Sequence, residues 1–394
     1  MEICMGLKNK NILMTDDRQQ LHWSSAMSIF LSLALLIYGS MHLYALSKMW
    51  MTFPHSYGLG LALILAGIVL TFSPLLVWFL ERHSWHRATT ATAWVSYSWM
   101  GYLFLFLCIG LLLDLGHALA TLLNFNWPLS QAMSLRTVSL LALAMLGYGF
   151  VEARQIQVEE IHITTPKLAT GHITIAQLSD LHLGIMMGEE FLDRVIAKLR
   201  EIKPDIIVAT GDIVDGQGND LNALARHFQA YTPPLGAYAV TGNHEYYAGL
   251  ENSLRFLRRA GFNVLRGESV KVGSIVLVGV DDPAAMSSRQ QARLDTAKAL
   301  DSATTNDFIV LLKHQPVVDS DTPFDLQLSG HTHGGQIFPF IYLTRLAYRA
   351  HTGLTELADG RRLYVSRGAG TWGPPIRLFA APEVTLITIE SRDK

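Results

Sequence analysis

His172-Ile-Thr-Ile-Ala-Gln-Leu-Ser-Asp-Leu-His182 begins as a β-branched apolar run over 172–178 and ends in Ser179-Asp180, with His182 two places on. Short apolar runs closed by turn residues read as strands, and polar residues at their ends then sit in loops at one sheet edge. The same grammar recurs downstream. Residues 205–209 end in Thr210-Gly-Asp-Ile-Val-Asp, which contains Asp212, and 236–240 end in Thr241-Gly242-Asn243-His244-Glu. Between these runs, Leu192, Val195, Ile196 and Leu199 repeat at helical spacing within 191–202, and 221–231 reads as a second helix. Strands alternating with helices predict an α/β domain whose ligand site lies beyond the C-terminal ends of the strands.

Further strands are expected at 274–280, 308–312, 326–329, 363–366 and 384–389. Two of them run into Lys313-His314-Gln-Pro and Gly330-His331-Thr-His333-Gly-Gly. So many strands with few helices are better housed in two sheets packed face to face than in one. The domain is expected over 172–394, preceded by a linker at 152–171.

Asp180, His182, Asp212, Asn243, His314, His331 and His333 each supply an oxygen or an imidazole nitrogen. Taken singly, each run is ordinary turn chemistry. Together, each following an expected strand, they make the inventory of a site for two divalent ions that share one carboxylate, sit about 3.5–4 Å apart and activate a bridging hydroxide. Asn243 fits through its amide carbonyl. Imidazoles with Asp and Asn favour manganese, or iron or zinc, over magnesium and calcium. The two cysteines, Cys4 and Cys108, form no Cys-x-x-Cys motif.

These five runs resemble the signature of the calcineurin-like metallophosphoesterase superfamily, over about residues 172–390. The resemblance implies a four-layer αββα sandwich and a two-metal phosphoesterase. It implies that Asp180, His182 and His333 bind one metal, that Asn243, His314 and His331 bind the other, and that Asp212 bridges them. His244 is then catalytic, contacting the phosphoryl oxygen or protonating the leaving group with an acidic partner. Residues 331–337 and Tyr364–Pro375 look like the bacterial branch of membrane-associated phosphodiesterases, which is related to UDP-2,3-diacylglucosamine hydrolases.

The chain of 394 residues is 50% hydrophobic and only 16% charged, because its first part is apolar. Runs at 26–46, 59–80, 93–115 and 132–151 each reach the roughly 20 residues that cross a bilayer. A transmembrane domain of four helices is therefore expected over 26–151. Trp50, Trp78, Trp85, Trp94 and Trp127 fall near the run ends, as interfacial aromatics do. Lys8, Lys10 and Arg18 precede the first run, Arg82 and Arg87 lie in the second loop, and Arg154 and Lys167 follow the fourth; the other loops offer Lys48 and Arg136. The positive-inside rule places segment 1–25, the second loop and the catalytic domain in the cytoplasm. A multi-pass protein of a bacterial inner membrane is the expectation. Asp114 and His117, at the end of the third run, read as solvated interfacial groups or as part of an ion path.

The apolar stretch 338–349 follows the last histidine and carries Arg345 and Arg349 four apart. It suits either a basic amphipathic piece on the bilayer or a loop packed on the sandwich. Arg367-Gly-Ala-Gly suits either a second phosphate contact or a tight turn. Arg345, Arg349 and Arg367 are thus candidate substrate contacts. The net charge of −2 and the lack of a basic stripe argue against nucleic acid. The expected function is a membrane-anchored phosphodiesterase or pyrophosphatase acting on a lipid-linked or membrane-proximal phosphate ester. The competing readings are a membrane sensor or transporter with a regulatory phosphoesterase domain, and a protein phosphatase.

Overall fold

A computed structural model describes residues 29, 31–53, 56–83, 85–216, 221–285, 296–300, 303–304 and 306–392. The expected cytoplasmic segment 1–25, with Lys8, Lys10 and Arg18, lies outside the described residues. The apolar runs form helices at 31–52 (α1), Tyr57–Arg82 (α2), His86–Leu122 (α3) and Gln131–Glu152 (α4). Among the described residues three, α2 to α4, are long and apolar enough to cross a membrane. The expected count of four therefore stands at three, the first run starting outside the described residues.

The chain divides into two compact units, residues 1–75 with 103–142 and residues 76–102 with 143–394. The end of α2, the start of α3 and the end of α4 thus group with the sheets. Length gives the reason for α3: its 37 residues span about 55 Å at 1.5 Å per residue, well beyond the roughly 30 Å of a hydrocarbon core. Within the first unit, Asp114 is ion-paired with Lys48 and accepts a hydrogen bond from the Tyr44 hydroxyl at 2.8 Å.

The second unit holds two six-stranded sheets. The first runs in the order β1 (Gln157–Thr165), β12 (Glu383–Ser391), β2 (His172–Leu178), β3 (Ile206–Thr210), β4 (Ala237–Val240), β5 (Phe262–Val264). The second runs β10 (Gly353–Glu356), β11 (Arg362–Val365), β9 (Leu326–Ser329), β8 (Phe308–Leu312), β7 (Ile275–Gly279), β6 (Glu268–Val272). Strands β2 to β5 are mutually parallel, as are β7, β8, β9 and β11. Every residue of β3, β7 and β8 is buried, as parallel strands covered on both faces require.

One core lies between the sheets, where Ile175, Val208 and Val240 meet Leu277, Val310 and Leu328. The outer face of the first sheet is covered by α5 (Glu189–Ile202), α6 (Leu221–Phe228) and α8 (Leu250–Arg259). Helix α5 buries Phe191, Leu192, Val195, Ile196 and Leu199, the stripe its spacing predicts. The stretch expected as a linker, 152–171, contains β1, which pairs in parallel with β12 along its whole length. Its charges hid it: Glu159 and Glu160 are tolerated because β1 is an edge strand with one row of partners.

Candidate metal centre

Parallel strands deliver their C-terminal ends to one edge, and the two sheets are fastened there. Buried Gln177 of β2 donates through Nε2 to the Thr210 hydroxyl of β3 and to the Ser329 carbonyl of β9, both at 2.9 Å. The loops after β2, β3, β4, β8 and β9 therefore converge. Asp180, His182, Asp212, His331 and His333 all take left-handed backbone angles, with φ of 52°, 47°, 53°, 72° and 52°. Such conformations cost about 1–3 kcal/mol each in a non-glycine residue and cluster where a side chain must be aimed. Close approach adds a second constraint: a Cβ on Gly330 would collide with Ser179 Oγ and Asp180 Oδ2.

The donor atoms fall into three overlapping groups, the third of which is His182, Asp212 and His244. Asp180, His182 and His333 bring one ligand atom each within 4.8 Å of one another, and so do Asp212, His314 and His331. In the first group His182 Nε2 lies 3.1 Å from His333 Nε2, and His333 Nε2 lies 3.5 Å from Asp180 Oδ1. In the second, His314 Nε2 is 3.2 Å from His331 Nδ1 and 3.1 Å from Asp212 Oδ2. Asp212 Oδ2 also stands 4.0 Å from His182 Nε2, so this carboxylate lies between the groups. Asn243 opens the short helix α7 (Asn243–Tyr247), and its Oδ1 is buried without a hydrogen-bond partner.

Secondary contacts set the tautomers and orientations. His314 Nδ1 donates to the Thr210 carbonyl at 2.8 Å, which leaves Nε2 facing Asp212 Oδ2; burial lowers this imidazole, but Asp212 outweighs it and raises it well above its usual value. The His331 N–H donates to Asp180, and the His244 N–H to Asp212 Oδ1 at 2.8 Å. Burial pushes the Asp180 carboxyl up. Burial acts the same way on Asp212, but His314 and the neighbouring imidazoles outweigh it and hold that carboxyl well below the usual range. Burial, helped by His314, brings His331 down to about 3, and burial takes His333 well down too. Both imidazoles are neutral at pH 7 and present lone pairs, as metal ligands must.

His244 lies against this cluster, its ring 4.6 Å from that of His182 and edge-on to it. Its Nδ1 is 3.0 Å from Asp215 Oδ1, while Asp215 Oδ2 is 3.6 Å from His182 Nδ1. Burial lowers the His244 imidazole, but Asp212 and Asp215 outweigh it and lift it to about 9. Tyr247 and the half-exposed Trp372 flank the ring edge-on, at 5.4 and 5.6 Å.

The three expected substrate arginines have the following surroundings. Arg367 pairs with Glu383 at 2.6 Å and Glu159 at 3.2 Å, so two carboxylates answer its charge. Arg345, on helix α9 (Ile341–Ala347), donates to His351 Nε2 at 3.0 Å. Arg349 is exposed and lies past the end of that helix.

Several residues went unassigned in the sequence. Asp215 closes a quoted run, three residues after Asp212, and that spacing was the available signal. Arg377 is fully buried and donates to the carbonyls of Gly370, Arg367 and Ala380, with His333 Nδ1 3.4 Å away. Glu245 is also fully buried, and its carboxylate accepts from the N–H groups of Asp212, Ile213, Val214 and Gly242 at 3.0, 2.8, 3.0 and 2.7 Å. Glu245→Ala strands four buried donors, each worth about 1–3 kcal/mol. Chemical denaturation is expected to show a loss of several kcal/mol, and an unchanged midpoint would remove Glu245 as the organiser of these loops.

Comparison with known proteins agrees with this geometry. The family model described as calcineurin-like phosphoesterase matches residues 173–335. An uncharacterized metallophosphoesterase of Aquifex aeolicus is 42% identical over 257 residues, 64% of this chain and 98% of that protein. A transmembrane protein with metallophosphoesterase domain from Danio rerio is 33% identical over 308 residues, 73% of this chain and 70% of its own length. A solved dimetal phosphatase of Danio rerio aligns at 13% identity with a TM-score of 0.32, over 50% of this chain and 88% of its own, too low to carry weight beside these relatives. The chain belongs to the calcineurin-like metallophosphoesterases and is a metal-dependent phosphoester hydrolase.

Proposed function

We propose that Asp180, His182 and His333 hold one divalent ion, that Asn243, His314 and His331 hold a second, and that Asp212 serves both. The observation that carries this reading is the unpartnered, buried Oδ1 of Asn243 beside two donor groups that flank Asp212. A buried acceptor left empty costs about 1–3 kcal/mol, and a cation is what this donor set would attract. Manganese suits it best, with iron or zinc as alternatives. Two ions bound there supply charge neutralisation for a phosphate ester and an acidified water. His244 donates a proton to the leaving oxygen from Nε2, while Asp215 holds Nδ1 and keeps the ring charged.

The substrate in this reading is a phosphodiester or pyrophosphate carried on a lipid or held close to a membrane. Its support is the three membrane-length helices, and the grouping of the α2–α3 turn and the end of α4 with the sheets. Those segments carry Arg82, Arg87 and Arg154, which favours the cytoplasmic face of an inner membrane. Residues 31–52 complete a four-helix region, and helical residues 296–300 near the outer face of the second sheet complete an αββα sandwich.

The test pairs metal analysis of the purified protein with a hydrolysis screen over lipid-linked diphosphates, phospholipids, cyclic nucleotides and phosphoserine. Two ions per chain and preference for a lipid-borne diester or diphosphate are expected; preference for phosphoserine would move the assignment to a protein phosphatase. Chelation is expected to abolish turnover and manganese to restore it, while full turnover in protein shown to be metal-free would end the two-ion reading.

A further inference from the structure

Beyond the donor loops, the chain enters α9 with much of its apolar surface uncovered. Leu346 is 85% exposed, and Phe338, Phe340, Tyr342 and Leu343 are exposed as well. A continuous exposed apolar patch beside a polar site marks an interaction surface. Behind it lies a cavity of about 200 Å³ lined by Gly334, Phe338, Ile341, Tyr342, Arg345, Leu378 and Phe379. Gly334 is the neighbour of His333, so the cavity wall is part of the loop that carries that histidine.

What covers the patch follows from its connection to α4. The loop 377–380 is bonded to the end of that helix: the Arg377 N–H donates to the Gly149 carbonyl at 3.0 Å. The Glu152 carboxylate accepts the N–H groups of Phe379 and Ala380 at 3.0 and 3.2 Å. Phe379, 67% exposed, meets Tyr148 at 6.2 Å with the rings tilted by 45°, and Tyr148 is an exposed residue one turn inside the end of α4. Rings then continue without a break, Phe379 to Phe338 at 5.9 Å and Phe338 to Tyr342 at 5.8 Å. The exposed apolar face of a membrane-length helix thus runs directly into the exposed face of α9. Arg154, Arg345 and Arg349 accompany it, where cations meet anionic headgroups.

We infer that the face formed by Phe338, Phe340, Tyr342, Leu343, Leu346 and Phe379 beds in the interfacial layer of the bilayer that α4 enters, and that the cavity behind it receives part of a lipid acyl chain. This deepens the proposed function by giving a membrane-borne ester a lateral route to the donor loops, and it rests on that reading only for the identity of the reaction. Burying these apolar side chains in lipid stabilises the bedded state, and the patch orders no new element to obtain it.

The experiment uses the full chain with Cys4 and Cys108 changed to Ser, in vesicles of phosphatidylcholine and phosphatidylglycerol. An environment-sensitive fluorophore is attached at Leu346→Cys, or at Tyr342→Cys on the cavity wall, and quenched by lipids bearing a nitroxide on the acyl chain. Val151→Cys, at the end of α4, is the lipid-facing reference. Glu201→Cys, at the far end of α5, is the aqueous one, because that helix runs back from the site edge. Labels at 346 and 342 are expected to quench like the label at 151. Quenching of 346 at the level of 201 overturns the bedding, and quenching of 346 but not of 342 overturns the acyl route. Turnover of a soluble aryl phosphodiester in the same samples reads the hydrolase assignment separately, so a failure of one is not mistaken for a failure of the other.

Discussion

Asp212→Asn is expected to lower turnover of an aryl phosphodiester by about a thousandfold or more, and to reduce the bound metal below two ions per chain. The side chain stays nearly the same size, so packing survives. What leaves is the single negative charge placed between the two donor groups, 3.1 Å from His314 and 4.0 Å from His182. Metal ions contribute several kcal/mol of transition-state charge stabilisation, and each 1.36 kcal/mol is tenfold in rate. His314 supplies a second readout, because Asp212 is the chief group raising its imidazole against burial. In the Asn variant without metal, His314 is expected to titrate at lower pH by NMR. Unchanged turnover with two ions retained would remove Asp212 from the bridging role.

His244→Ala is expected to cost about 10²–10⁴ in turnover, the range of a positioned general acid, with two ions still bound. Loss of an ion instead would make His244 a ligand, and full activity would remove it from the chemistry. Asp215→Asn separates positioning from charge. A general acid works only while protonated, so its pKa sets the alkaline limb of the rate profile. Asp212 and Asp215 together lift His244 to about 9. Cations held at Asp212 cancel its share, so the limb falls below that value and depends on Asp215. Asp215→Asn then shifts the limb further toward acid, with kcat lowered more than KM is raised. A limb that does not move would assign Asp215 to holding the loop alone.

Much of this was legible because buried parallel strands leave continuous apolar runs. Strands β2, β8 and β9 begin and end where their runs do. The strands that went unread are β1, β5, β6 and β10, all at sheet edges. Edge strands bury less and carry polar residues such as Glu159 and Lys271, so their patterns resemble loops. The site divides the same way. Histidines in glycine-flanked loops stand out in a sequence, whereas Asp215, Glu245 and Arg377 look like ordinary surface charges until burial and partners are known.

The sequence alone determined the reaction class, because a set of oxygen and nitrogen donors at strand ends admits little other chemistry. Its apolar runs likewise foretold the three helices that are long and apolar enough to cross a membrane. Tertiary structure decided which acid serves His244, which arginines are already occupied, and where the apolar segment 338–349 lies. Those outcomes depend on residues far apart in the chain, Asp215 with His244, Arg367 with Glu159, and Tyr148 with Phe379. Local pattern carries burial and periodicity, but the pairing of distant groups exists only once the sheets and the end of α4 have packed.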